Sequence, residues 1–149
     1  MSVSDKPVAH DSGLFRPDDL ASIRRRVAVA ARNAGLDEND AQNFTLAVSE
    51  AVTNVIEHAH GAGELLVFVQ DDQLIADVTD HGPGFTLETP DATPGPRQGR
   101  GRGLWLMRRC VDRIELFSWK VSHRLRLVKN IPVALVAGLM RLCAVGLRM

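Results

Sequence analysis

The stretch that most restricts how this chain can fold is Leu46–His58, LAVSEAVTNVIEH. Ala47, Val48, Ala51, Val52, Val55 and Ile56 recur at the three-and-four spacing of a helix that turns apolar cover toward a core. Glu50 and Asn54 fall four positions apart and share one face of that helix. A carboxylate there can accept a proton or orient a nucleophile, and a carboxamide oxygen is a hard ligand suited to Mg²⁺. Two polar residues one turn apart also describe a solvated helix edge, so the pair alone leaves both readings open.

A chain of 149 residues reads as one domain, large enough to bury a core without staples. Its 18 basic residues balance 18 acidic ones, so net charge makes no case for nucleic acid or a membrane surface. Cys110 and Cys143 stand in apolar contexts without metal-ligand spacing, which fits a reduced, cytoplasmic protein. The opening MSVSDKPVAHDSG has no apolar core of a signal peptide, and no run reaches the length of a transmembrane helix.

Residues 1–13 are expected to form a loosely attached lead. PDDLASIRRRVAVAARNAG, from Pro17, reads as a helix with Leu20, Ile23, Val27 and Ala30/Ala31 as its stripe and Gly35 as its stop. Arg24, Arg25 and Arg26 form a solvated face or a partner contact. Asn39 or Asp40 is expected to cap the second helix, which runs to about His60, where Gly61 and Gly63 end it. ELLVFVQ and QLIADVTD, joined by Asp71-Asp72, predict an antiparallel hairpin.

The second strand closes on Asp80-His81-Gly82-Pro83-Gly84. Gly-Pro-Gly makes a turn, and glycines at this spacing also let a ligand approach the backbone. An aspartate at the strand end can accept a hydrogen bond from an exocyclic amino group, a contact that singles out adenine. Residues 86–98 hold three prolines and a glycine without periodicity, a long irregular loop of the kind that serves as a lid. Gly99-Arg100-Gly101-Arg102-Gly103 then leads into LWLMRRCVDRIEL, read as a helix. A glycine-rich loop feeding a helix offers free N–H groups and the positive dipole end to an anion.

In order and spacing these residues resemble the three signature boxes of the histidine-kinase-like (GHKL, Bergerat-fold) ATPases: Glu50 and Asn54, then Asp80, Gly82 and Gly84, then Gly101, Gly103 and Leu104. SEAVTNVIEHA, DHGPGF and GRGLWLMRRCVD look most like the anti-sigma-factor serine kinases, over residues 14–118. The resemblance implies an α/β two-layer sandwich, a mixed but largely antiparallel sheet with helices on one face, within an ATP-binding domain spanning 14–129. It implies Glu50 as the base that prepares a hydroxyl nucleophile, Asn54 as the Mg²⁺ ligand, and Asp80 as the reader of adenine, with Gly82 and Gly84 shaping the pocket floor. Gly99, Arg100, Gly101, Arg102, Gly103 and Leu104 would border the phosphates of ATP. Phosphoryl transfer is chiefly positioning and charge neutralisation, so a base, a metal ligand and an N–H cradle form a sufficient set. His58 is expected to be structural or at the pocket rim, since no phosphoacceptor histidine module accompanies it.

The implied activity is a serine/threonine protein kinase whose partner is an anti-sigma antagonist and which also sequesters a sigma factor. A homodimer is open, and neither direct nucleic-acid binding nor membrane attachment is expected. The competing class is a catalytically silent module that holds nucleotide or sequesters a protein. A hydrolytic ATPase fragment is a third reading, for which no coupling domain is present. Two departures from the family stand out. SWKVSHRLRL offers only Ser122 as a hydroxyl where relatives carry a glycine turn and a threonine. The segment 130–149, NIPVALVAGLMRLCAVGLRM, matches nothing expected of the family. It reads as an added core or dimer helix capped by Asn130, as a basic amphipathic surface segment, or as an altered reading frame.

Overall fold

The computed structural model describes residues 8–58, 62–81 and 99–132, with side chains over 13–58, 62–81 and 103–132. Five strands form one sheet in the order β1-β2-β3-β5-β4: β1 Val8–Phe15, β2 Gly63–Gln70, β3 Gln73–Asp80, β4 Arg113–Ser118 and β5 His123–Asn130. The four pairings between these strands are all antiparallel. Among the described residues three helices, α1 Leu20–Asn33, α2 Glu38–His58 and α3 Gly99–Cys110, make the second layer. α2 is its centre, packed between α1 and α3 and lying over β2, β3 and β5.

α2 is held by burial. Phe44, Val48, Val52 and Val55 are at most 3% exposed, and at roughly 2 kcal/mol for each such side chain they contribute on the order of 8 kcal/mol in transfer free energy. Its cap is Asp37, whose Oδ1 accepts the Asp40 N–H at 2.8 Å; the expected caps, Asn39 and Asp40, lie inside the helix. The first helix begins later than expected. Pro17–Asp19 form a single 3₁₀ turn, α1 follows, and Gly35 ends it with φ 102°.

The predicted hairpin is present as β2 and β3. Asp71 and Asp72 take φ 51° and 58°, the two left-handed residues of a type I′ turn, whose twist matches the strands it joins. Three segments differ from expectation. β1 begins at Val8, inside the lead expected to be loose, because pairing with β2 satisfies its backbone and Phe15 is buried against the core. RIELFS is β4, not a continuation of the preceding helix. Asn130, expected as a helix cap, is the last residue of β5. Its N–H donates to Asp112 Oδ2 at 2.7 Å and its side-chain oxygen accepts from Gln73 Nε2 at 2.9 Å. The remainder of 130–149, beyond Pro132, lies outside the described residues.

The two sheet faces differ. Toward the helices, Leu65, Val67, Leu74, Ala76, Val78, Leu125 and Leu127 join the main core. The other face carries a smaller cluster of Phe68, Ile75 and Val128. Beside it sits a buried ion pair. Asp77, 5% exposed, accepts two hydrogen bonds from the Arg126 fork at 2.7 and 2.8 Å. The bonds to Asp77, ahead of its charge and against the cost of burial, hold the Arg126 guanidinium above its ordinary pKa.

Candidate functional site

Glu50 and Asn54 occur on the expected shared face of α2, and both are half-buried among otherwise covered neighbours. α3 brings the third box to them. Leu104, Met107 and Cys110, at helical spacing, bury α3 in the core, at 4%, 0% and 8% exposure. This seating turns Gly103 toward α2. A Cβ at position 103 would stand 3.2 Å from Glu50 Oε2 and 3.6 Å from both Asn54 Nδ2 and Oδ1. The carboxylate and the carboxamide therefore converge on one spot, which a residue without a side chain leaves open. Residues 53 positions apart are brought together here.

Asp80 is the last residue of β3, 4% exposed, on the sheet face that carries Ala76 and Val78 toward the helices. Its partner across the sheet is His123 of β5. The next residue, His81, places Nδ1 3.2 Å from the Val121 carbonyl. Because a carbonyl only accepts, Nδ1 carries the proton in that bond. The chain leaving Asp80 is thereby fastened to the β4–β5 turn, where the Trp119 N–H donates to the Ser122 carbonyl at 2.9 Å. The bond partner of His81 lies forty positions later and left no local signal in the sequence.

Gly82 and Gly84 lie outside the described residues. Gly99, Arg100, Gly101 and Arg102 are not a loop: with Gly103 and Leu104 they belong to α3, which begins at Gly99. The N–H groups of a helix's first turn have no intrahelical acceptor, and the dipole there is positive. Of the glycine N–H groups expected to meet an anion, that of Gly101 falls in this first turn and that of Gly103 in the next. Cys110, at the other end of α3, is a buried free thiol. Burial raises its pKa, against the pull of Lys129 and Arg109, while the Glu50 charge pushes the same way as burial. His58 ends α2, exposed, beside Glu57 at 3.6 Å.

The donor set suits Mg²⁺. Among the described residues no group of three or more His, Cys, Asp or Glu gathers to cage a metal. Mg²⁺ is commonly held by one or two protein oxygens with substrate phosphates and water completing the shell, and a single half-buried carboxamide such as Asn54 is compatible with that need. Two described clefts lie elsewhere. One, of about 250 Å³, runs between α1 and α2 along Arg24, Ala28 and Ser49; the other, of about 310 Å³, follows Arg108 and Val111–Ile114. Neither is lined by Glu50, Asn54 or Asp80, so neither is taken as the site. Among the described residues no helix is long and apolar enough to cross a membrane.

Comparison with known proteins agrees with this geometry. Residues 14–129 match the histidine kinase-like ATPase domain. The serine-protein kinase RsbW of Listeria monocytogenes is 31% identical over 117 residues, covering 68% of this chain and 74% of that protein. RsbW of Halalkalibacterium halodurans is 29% identical over 106 residues, covering 63% of this chain and 65% of that protein; the chain thus spans just under two thirds of that relative's length. In fold, the chain is similar to the crystal structure of the RsbU and RsbW domains of a Mycobacterium tuberculosis protein, with TM-score 0.58 and 15% identity over 80% of this chain and 32% of that one. With the carboxylate–carboxamide pair set against the glycine of α3, the chain belongs to the histidine kinase-like ATPase domain family, in the group that includes the serine-protein kinases RsbW.

Proposed function

We propose that the chain binds ATP with Mg²⁺ and transfers the γ-phosphoryl group to a serine or threonine of an anti-sigma antagonist protein, and that it binds a sigma factor as an anti-sigma factor. The observation that carries this reading is the convergence of Glu50 and Asn54 on Gly103. Asp80 accepts from the adenine amino group, and the first-turn N–H groups of α3 face the phosphates. Glu50 takes the proton of the incoming hydroxyl as its oxygen bonds to the γ-phosphorus and the bond from that phosphorus to the bridging oxygen of ADP breaks. Asn54 holds the metal, which neutralises phosphate charge when bound. Glu50 is half-buried, not sealed, so a side chain from another protein can reach it. ATP and sigma factors are cytoplasmic, and we place the protein there.

The test is transfer of radiolabelled phosphate from ATP to a recombinant anti-sigma antagonist of the same organism, with Glu50→Gln beside the natural chain. The variant is expected to bind ATP with unchanged affinity and to transfer about 10²–10⁴-fold more slowly, the range for a lost general base. A variant as fast as the natural chain removes Glu50 from the chemistry. Transfer by neither, with ATP bound by both, leaves a nucleotide-binding, sequestering module.

A further inference from the structure

The sheet face turned away from the helices ends in an aromatic and cationic ladder that the nucleotide site does not use. Arg126 lies 5.7 Å from the ring centre of Phe68 and 5.6 Å from that of Phe117. Phe117 stacks on Trp119 at 6.3 Å, and Arg124 lies 5.2 Å over Trp119. The two arginines differ in what remains to them. The Arg126 fork is taken by Asp77. Arg124 reaches Asp77 only at 3.9 Å, beyond hydrogen-bond distance, and its Nε is buried without a partner. The buried Nε is closed to an outside acceptor, but the Arg124 side chain is 38% exposed, which leaves the outer guanidinium open to one. Beside it, Phe117, Trp119 and Val121 are 38%, 51% and 73% exposed, large apolar surface on one hairpin. β4 is also an edge: among the described strands it pairs only with β5.

We propose that the β4–β5 hairpin docks an extended acidic and apolar segment of a protein partner, added to the free edge of β4, with a carboxylate on Arg124 and apolar side chains on Trp119 and Val121. Strand addition supplies backbone hydrogen bonds, and alternate side chains supply specificity. Charge selects the occupant. Arg113, Lys120, Arg124 and Arg126 outnumber Asp77 and Glu115, which Arg126 and Arg113 already engage, so an anionic segment is favoured. A second copy of the chain, docked through the same hairpin, would set Lys120 and Arg124 against their own equivalents, which like-charge repulsion opposes. The hairpin turn is fastened to His81, the residue after Asp80, so a partner held here stands at the end of the sheet where Asp80 lies. This surface goes beyond the kinase reading and needs no phosphoryl transfer.

The experiment is selection of a displayed random 12-residue peptide library on the full chain without nucleotide, followed by titration of the enriched peptide, made synthetically, into the natural chain, Trp119→Ala, Arg124→Gln and Arg124→Lys. Enriched peptides are expected to combine Asp or Glu with Leu, Ile or Phe, to lose at least tenfold in affinity with Trp119→Ala and Arg124→Gln, and to recover only part with lysine. On the natural chain, bound peptide slows amide exchange across Arg113–Ser118, a readout that needs no variant. No enrichment, peptides that bind the variants equally, or unchanged β4 exchange overturns the proposal. Binding of phosphatidylglycerol vesicles through Trp119 in place of peptide also overturns it and assigns the surface to lipid. ATP titration of the same preparations is read separately, so failure here is distinct from failure of the kinase reading.

Discussion

Gly103→Ala separates stability from function at a single methyl group. Position 103 lies inside α3, where alanine is favoured over glycine by about 1 kcal/mol in helix propensity. Against this, the new Cβ stands 3.2 Å from Glu50 Oε2 and 3.6 Å from the Asn54 amide. The first of these is tight enough to push the neighbour a few tenths of an ångström. The atoms met are the ends of side chains, not backbone, so Glu50 can swing aside at a cost of about 0.5–1.5 kcal/mol. The two terms nearly cancel, and the melting temperature is expected to move by no more than about 3 °C. Function has no such compensation. The methyl occupies the spot on which the carboxylate and carboxamide converge, and a misplacement of about 1 Å can cost about 10²-fold in rate. Calorimetry should give weakened Mg²⁺-dependent ATP binding, and single-turnover transfer should fall about 10- to 100-fold. A folded variant with natural affinity and rate refutes the reasoning, because Gly103 would then be no part of the site. A melting temperature lowered by 10 °C would also refute it, by showing that the glycine is required for packing.

Two further perturbations test the scaffold. Asp77→Ala leaves the Arg126 guanidinium without its two hydrogen bonds beneath Phe68 and Phe117; with a quarter of that side chain still in solvent, a loss of about 3 kcal/mol in urea unfolding is expected, the low end for breaking a buried pair, and a loss under about 1 kcal/mol contradicts the account of this pair. The hydrogen bond from Arg32, then that from Gln42, holds the Glu38 carboxyl below its ordinary value. A lowered folded pKa adds stability above the unfolded value of about 4.3 and loses it as pH falls through the folded one. The melting-temperature deficit of Glu38→Gln should therefore be small near pH 7 and shrink as pH falls from about 5 toward 3, and a deficit that grows in acid contradicts this sign.

What could be read from the chain was what depends on neighbours a few residues away. The α2 stripe put Glu50 and Asn54 on one face, and Asp71-Asp72 between two β-branched runs marked a hairpin whose turn has two positive φ angles. The resemblance assigned Gly103 to the same site as the pair, and the close approach of the two came only with the fold. The misread segments depend on distant partners. His10, Asp11, Ser12 and Gly13 have poor strand propensity, and β1 exists because β2 offers it an edge. Leu104, Met107, Val111 and Ile114 continue a helical spacing, so RIEL read as helix. The chain turns instead because the Asp112 N–H bonds to the Val128 carbonyl and the Asp112 carboxylate accepts from Asn130. Glycine alternation suggested a loop at 99–103, yet burial of Leu104 and Met107 draws these residues into α3. Asp77 and Arg126, 49 positions apart, meet only once the β3–β5 register is known.

The most direct measurement is a calorimetric titration of ATP into the natural chain and into Asn54→Ala, each with and without Mg²⁺. α2 is held by Phe44, Val48, Val52 and Val55 and not by Asn54, so the variant is expected to melt within a few degrees of the natural chain. Binding that requires Mg²⁺ in the natural chain and is lost in the variant is the expected result. Equal ATP affinity in both proteins, or binding indifferent to Mg²⁺, would contradict a nucleotide site built on Glu50, Asn54 and Gly103.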